Sequence, residues 1–380
     1  MQISRLRFTR WQLSQFIWDT VLVILILAVL CLCAAAIMPA FSAPRPPPPG
    51  VVAALDKMIE EDGVPGATLI VFQNGRQLYR IDAGGIDPNA QLPVASASKW
   101  MAAALIMRLV DEGKLSLDEA IERRLPAFTG AAGKITLRQI LSYTSGQGSL
   151  QGLVDIRQDP RMSLADAANE IAMRPLQDRP GKVFRYGSPA FQVAGALAEQ
   201  ATGESWARLF ETRIARPLGL RHTYWGNPMW PQLSPSDIRN PNLQGGLVTT
   251  AEDYGRFLTM LASGGVFEQR RVLSEAAIEE MERVQTGHAR QGFRPPGAKA
   301  WLQYALGNWC ERIEPDQGCS IVSSPGAFGT YPWIDRRTGL YGIFFMRSRL
   351  PVVERDIQSI RRLIVHKEVM GLRSDLRSKR

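Results

Sequence analysis

Ser96-Ala97-Ser98-Lys99 is the only Ser-x-x-Lys in the 380-residue chain. It stands where the polar stretch 91–95 enters an apolar run, residues 100–110, interrupted only by Arg108. A serine at a helix start has unpaired backbone N–H groups and the positive end of the helix dipole beside it. A lysine three residues on lies on the same face, one turn along, so its amine can reach the hydroxyl. Desolvation in a cleft would favour the neutral amine, which can then take a proton from Ser96. The competing reading is a serine N-cap followed by a solvent-facing lysine. The apolar run weighs against it, because Lys99 then has little water to reach.

Other nucleophile machinery is scarce. There is no Gly-x-Ser-x-Gly elbow, and the near miss Gly203-Glu204-Ser205-Trp206-Ala207 joins two expected helices rather than following a strand. The three histidines, His222, His288 and His366, are scattered. With four cysteines they give no metal-ligand spacing, so no metal is expected. Cys310 and Cys319 bracket a short polar segment that reads as a hairpin turning near Glu314-Pro315. Cysteines set about such a turn can meet across two strands, so a disulfide is expected there.

Elements that could position these residues follow from the apolar pattern. Residues 51–61 read as a surface helix. Residues 67–72 and 77–81 read as strands joined through Asn74-Gly75, a strong hairpin signal. A helical middle follows, with helices expected over 100–110, 137–142, 163–173, 189–202, 205–214, 251–262 and 274–284. Strands resume over 305–314, 320–333 and 339–347, and 350–370 reads as a closing helix. Strands at both ends with helices between predict an α/β (α+β) fold. One antiparallel sheet is completed by both chain ends, flanked by helices, with an inserted all-helical lobe.

Composition bounds the function. Hydrophobic content of 45% with 8% aromatic residues is ordinary for a globular protein. The net charge of +9 is concentrated at the ends: +3 over residues 1–50 and +5 over 361–380. A nucleic-acid binder needs its basic excess on the folded surface that meets phosphate, so nucleic acid is not an expected partner. Arg5, Arg7 and Arg10 precede residues 21–38, which carry no charge and include Cys31 and Cys33. Such a run is about long enough to span a bilayer, and basic residues before it predict an exported remainder. The expectation is a single-pass inner-membrane protein with its catalytic body in the periplasm. Secretion after signal cleavage near Ala40-Phe41-Ser42 is the alternative. The expected organisation is a basic N-terminus with this segment over 1–42 and a Pro-rich linker over 43–50. The folded domain then spans 51–366, with a basic tail over 367–380.

Several ordered motifs resemble those of the β-lactamase-related serine hydrolases, the group of class C β-lactamases, penicillin-binding-protein-like DD-peptidases and family VIII esterases. Ser96-x-x-Lys99 followed by Trp-Met-Ala-Ala-Ala resembles the first active-site motif. Lys114-Leu-Ser-Leu-Asp118 is similar to the segment after the nucleophile helix. Ile135-Thr-Leu-Arg-Gln-Ile-Leu-Ser-Tyr-Thr-Ser-Gly146 resembles the Leu-Leu-x-His-Thr-Ser-Gly stretch. Pro180-Gly181 with Phe184-x-Tyr186-Gly187-Ser188 resembles the Pro-Gly and Tyr-x-Asn element. Gly245-Gly246-Leu247 with Thr249-Thr250-x-x-Asp253 matches a further shared segment, and the similarity runs through most of residues 52–348.

The resemblance implies roles by position. Ser96 would be acylated, Lys99 would orient and help deprotonate it, and Tyr186 would act as acid or base with a pKa depressed by Lys99. Ser188 replaces the usual Asn. On the strand lining the site, Ser324-Pro325-Gly326-Ala327 stands where the family has Lys-Thr-Gly or His-x-Gly. The Ala327 and Ser96 amides would form the oxyanion hole. Ser188, Ser324 and Gly326 are the expected substrate-binding positions, and Ser323 is expected to be a plain strand residue. Ser324 offers no positive charge, which argues against β-lactam or D-Ala-D-Ala processing. The implied function is acyl-enzyme hydrolysis of a small-molecule or peptidoglycan-like ester or amide, with no cofactor and no obligate protein partner. The rivals are a DD-carboxypeptidase, D-amino-acid peptidase or β-lactamase, and a catalytically weak envelope-binding protein of the same fold.

Overall fold

The computed structural model describes residues 45–148, 156, 159–226, 230–299 and 301–378, with side chains to residue 369. In chain order the elements that frame the site are α1 (Pro49–Glu61), β1 (Gly66–Gln73), β2 (Arg76–Gly84), α2 (Ser98–Asp111), α3 (Leu164–Ala172), α4 (Ala190–Thr202) and α5 (Ala251–Ala262). The chain then adds β3 (Gln303–Tyr304), β4 (Trp309–Ile313), β5 (Cys319–Ser323), β6 (Tyr331–Asp335), β7 (Leu340–Met346) and α6 (Leu350–Ser378).

Period-2 alternation builds the central sheet. In β1, Ala67, Leu69 and Val71 join one hydrophobic cluster, and Ile70 and Phe72 join the other. β7 splits the same way: Leu340, Phe344 and Met346 on one face, Tyr341, Ile343 and Phe345 on the other. Both faces are therefore covered. α1 and α6 cover the first through Val51, Leu55, Met58, Val353, Ile357 and Ile360, and the helical lobe covers the second. Each such buried side chain contributes roughly 2 kcal/mol relative to exposure. The sheet order is β3-β4-β5-β6-β7-β1-β2, antiparallel throughout. β1 pairs β7 from Ala67↔Met346 to Gln73↔Leu340, so the two ends of the folded body do complete one sheet. The β1–β2 hairpin turns through Asn74 and Gly75 at φ 49 and 82, the left-handed pair that a two-residue turn requires.

α2 is buried on nearly all sides, from Ser98 through Met107 and at Leu109, as the apolar run after Lys99 implies. The strand expected over 320–333 is two strands, because the segment between β5 and β6 turns out of the sheet at Pro325-Gly326. Proline has no N–H to give a sheet ladder. Three small sheets were not legible from periodicity, being two to four residues long per strand, one of them the pair Val266–Phe267 and Arg270–Arg271. Leu92–Pro93 pairs with Leu247–Thr249, which pairs with Tyr224–Trp225. Val183–Arg185 runs parallel to Arg290–Phe293.

Contacts divide the chain into Met1–Arg45 and Pro46–Arg380. Pro49 and Gly50, placed in the linker by sequence, form the first turn of α1, where proline is well tolerated. At the other end α6 continues past 366 to Ser378. The expected single-pass inner-membrane placement, with attachment through an N-terminal helix, is corrected. Among the described residues no helix is long and apolar enough to cross a membrane. Even α6, 29 residues long, carries Glu354, Arg355, Asp356, Arg361, Arg362, Lys367 and Glu368, charges that hydrocarbon does not accept. The segment 21–38 on which that expectation rested lies outside the described residues.

Candidate active site

Ser96 lies in a single 3-10 turn, Ala95–Ala97, that leads directly into α2. The turn is strained: Ala95 has φ 46, a left-handed conformation that costs an L-residue roughly 1–3 kcal/mol. Surrounding bonds hold it. The Ser98 hydroxyl donates to the Ala95 carbonyl at 2.6 Å and accepts from the Leu247 amide at 3.0 Å. Val94 N–H donates to the Leu247 carbonyl at 3.0 Å, and Tyr254 OH donates to the Ala97 carbonyl at 2.8 Å. From the sheet side Gly326 presses in so closely that a Cβ there would lie 2.1 Å from the Val94 carbonyl oxygen.

Lys99 is buried at 2% exposure, and its Nζ donates to Ser96 Oγ at 2.9 Å and to the Gln244 carbonyl at 2.7 Å. The Gln244 side chain is itself held, its Oε1 accepting from Tyr143 OH at 2.8 Å. Tyr143 has φ 58, a strained backbone for a bulky residue. Its ring lies 5.0 Å from that of Tyr186. Tyr186 follows the strand Val183–Arg185, its amide donating to the Phe293 carbonyl at 3.0 Å. Its ring stacks on Trp309 at 5.3 Å and meets Tyr304 edge-on at 5.7 Å. The structure thus brings Ser96, Lys99 and Tyr186 together.

The expected depression of Tyr186 is corrected. Burial in this aromatic cage pushes its phenol well above the usual range, and the hydrogen bond with the Ser96 side chain offsets only part of that. Lys99 Nζ lies 4.8 Å from the Tyr186 ring centroid, over the ring. Burial thus favours the protonated phenol of Tyr186 in the resting site.

A cavity of about 300 Å³ opens in front of Ser96 and Tyr186. Ala327 lines it as Ser96 does, so the two residues expected to supply oxyanion amides face the same cavity. Gly326 packs against the turn that carries Ser96. Ser324 and Ser323 exchange the parts expected of them. The Ser324 hydroxyl turns inward to the Ser96 carbonyl at 3.3 Å, whereas Ser323 lines the cavity. Ser188 is fully buried with no hydrogen-bond partner for its Oγ among the described residues, and it does not line the cavity.

In the cavity wall, Ser323 hydrogen-bonds Tyr331, which also lines it, and Glu311 behind them. Tyr331 OH donates to Glu311 Oε1 at 2.7 Å, and Arg361 of α6 donates to Glu311 Oε2 at 2.9 Å. Burial pushes the Glu311 carboxyl up, but Arg361 and the hydroxyls more than offset this and hold it below its usual value. Arg361 also lies over the rings of Tyr331 and Trp333, at 5.3 and 5.0 Å. Cys310 and Cys319 lie with sulfurs at bonding distance and Cα atoms 5.5 Å apart. They are not cross-strand partners, since Cys310 faces Val322 and Cys319 faces Ile313, with bulges between.

Sequence reasoning missed Tyr143, Gln244, Tyr304, Trp309 and Ser323. Tyr143 had a signal, standing where the related motif has His. Gln244 directly precedes the Gly245-Gly246-Leu247 segment, but its contribution to Lys99 is a backbone carbonyl, which no residue type announces.

Residues 51–367 match the family model described as Beta-lactamase. Esterase EstB of Burkholderia gladioli is 32% identical over 196 residues, 44% of this chain and 49% of that protein. The flp proteins of Staphylococcus aureus are 26% identical over 185 residues, 37% of their length. The matched region thus spans about half or less of these curated relatives. A Bacteroides dorei protein assigned to the β-lactamases superposes with a TM-score of 0.71 at 31% identity, over 82% of this chain and 98% of that one. The octameric penicillin-binding-protein homologue of Pyrococcus abyssi shares the fold, with a TM-score of 0.62 at 18% identity over 79% of this chain and 73% of that one. With the family model covering nearly all of the body that holds Ser96, Lys99 and Tyr186, this chain belongs to the beta-lactamase family of serine hydrolases.

Proposed function

We propose that the protein hydrolyses an ester or amide through an acyl-enzyme on Ser96. The observation that carries this reading is the 2.9 Å hydrogen bond between Lys99 Nζ and Ser96 Oγ at the mouth of a cavity, with Tyr186 beside both. Ser96 Oγ attacks the carbonyl carbon while its proton passes to Lys99 in the amine form. The oxyanion forms against the amides of Ser96 and Ala327, a contribution typically worth roughly 3 kcal/mol per donor. Tyr186, kept protonated by its burial, gives its proton to the leaving oxygen or nitrogen, and the proton that Lys99 took from Ser96 passes to the Tyr186 oxygen, restoring both groups. Water then attacks the ester by the reverse sequence and frees the acid. The kinship to an esterase supports ester substrates.

A β-lactamase or DD-peptidase reading is less favoured, because Ser324 places a hydroxyl turned onto backbone where a cation would meet a substrate carboxylate. The unpartnered Ser188 hydroxyl favours one second reading, a protein of weak activity that chiefly binds its ligand. The deciding experiment is p-nitrophenyl butyrate hydrolysis by the full chain and by Ser96→Ala. Activity that vanishes with Ser96 supports the hydrolase. Background rates in both proteins, with ligand binding retained, support the binder. Covalent labelling of Ser96 by penicillin would restore the peptidase reading.

A further inference from the structure

The cavity in front of Ser96 is walled mainly by apolar groups, among them Pro295, Ala298, Leu302 and Leu350. Besides the neutral polar groups of Ser96, Tyr186, Ser323 and Tyr331, a basic and an acidic side chain join them, Arg349 and Glu354. Arg349 is exposed, and water and salt screen it. Glu354 is half-buried near the start of α6. Its Oε2 lies against the opposite wall, 3.0 Å from where a Cβ on Gly297 would stand. Burial raises the carboxyl, Lys299 pulls it down and Glu311 pushes it up further. Other buried charged groups near the cavity are already engaged, and Lys299, which acts on Glu354, is exposed. Glu311 is paired with Arg361, and Lys99 is held between Ser96 and Gln244. A group entering the cavity therefore meets one partly desolvated carboxylate among apolar walls, where a charge acts more strongly than at the rim.

We infer that Glu354 reads the charge of the substrate group filling this cavity, accepting an ammonium-bearing apolar group and rejecting a carboxylate. This is the opposite preference to the one a lysine or histidine at position 324 would confer. The inference rests on the reading of Ser96 as the nucleophile facing this cavity.

Benzylammonium and benzoate, equal in shape and opposite in charge, test it as inhibitors of Ser96-dependent p-nitrophenyl butyrate hydrolysis at neutral pH and low ionic strength. The expected result is inhibition by benzylammonium at a concentration on the order of five- to tenfold lower than by benzoate. In Glu354→Gln the ratio falls to near one, and in Arg349→Gln it changes less. Equal inhibition by the two ions in the natural protein overturns the inference, as does a ratio untouched by Glu354→Gln in a variant whose melting curve shows it folded. Absence of Ser96-dependent hydrolysis sinks the nucleophile reading instead. In that case calorimetric titration of the same two ions into natural and Glu354→Gln proteins decides on Glu354 by the same ratio.

Discussion

The main-chain carbonyl of Gln244 accepts from Lys99 Nζ at 2.7 Å, so the amine is aimed at Ser96 by a segment outside its own helix. That carbonyl has no side chain to mutate. Its position depends on the Gln244 side chain, which Tyr143 holds at 2.8 Å from a strained backbone.

Tyr143→Phe removes that one hydrogen bond and keeps the ring. A neutral buried bond is worth about 1 kcal/mol, so kcat should fall about fivefold with KM little changed. A KM rise at constant kcat would show that Tyr143 contacts substrate rather than positioning Lys99. Steady-state kinetics separate the two.

Tyr186→Phe keeps the stack on Trp309 and loses the proton donor. The expected loss in kcat is about 10²- to 10⁴-fold, with the melting temperature within a few degrees of the natural protein. Because its phenol is raised in the folded state, its contribution to stability is fully present below about pH 10, the unfolded value. It is lost as pH rises from there toward the folded value. Tyr331 is raised by burial as well, so tyrosinate absorbance should grow late and together with unfolding.

Arg361→Met leaves Glu311 charged and buried behind the cavity wall. The cost should be about 3–5 kcal/mol, and adding Glu311→Gln should recover most of it. In the natural protein Glu311 is held below its usual value, so its stabilisation is present above about pH 4.5 and lost as pH falls through the folded pKa. Urea midpoints across an acid series check both statements.

Replacing Cys310 and Cys319 together by Ala removes a crosslink between positions nine residues apart. The loop-entropy model gives a loss of roughly 2–3 kcal/mol. An unchanged denaturation midpoint in oxidising and reducing buffer would show that the pair is not bonded in solution.

Gly326→Val forces a branched side chain into the Val94 carbonyl, 2.1 Å from the first atom added. The turn that carries Ser96 must shift, and a displacement of about 1 Å costs on the order of 100-fold in kcat. A variant with natural kinetics would show that Gly326 does not set the position of Ser96.

Much of the fold was legible because it is written in long periodic runs. The alternation of β1, the uninterrupted apolar face of α2 and the Asn74-Gly75 turn each announce one element. The break between β5 and β6 was not, because Pro325 and Gly326 sit between residues that all suit a strand. At the site, Ser96, Lys99 and Tyr186 were readable as residue types in ordered motifs. The direction of the Tyr186 shift was not, since it depends on how many rings close around the phenol. Nor was the exchange between Ser323 and Ser324, because side-chain period 2 turns on where the strand ends.

The placement of β1 between β2 and β7 has a consequence for how the protein is made. β1 leaves the ribosome with only β2 beside it, and its other edge stays open until β7 emerges some 270 residues later. At about 5–20 residues per second that interval is roughly 15–50 s. Throughout it the nascent chain exposes an apolar strand edge and an incomplete cavity, since α6 supplies Glu354 and Arg361 last of all. Enzymatic activity should therefore appear only on release of essentially complete chains. Ribosome-bound intermediates stalled before residue 340 should depend on a holding chaperone that covers β1.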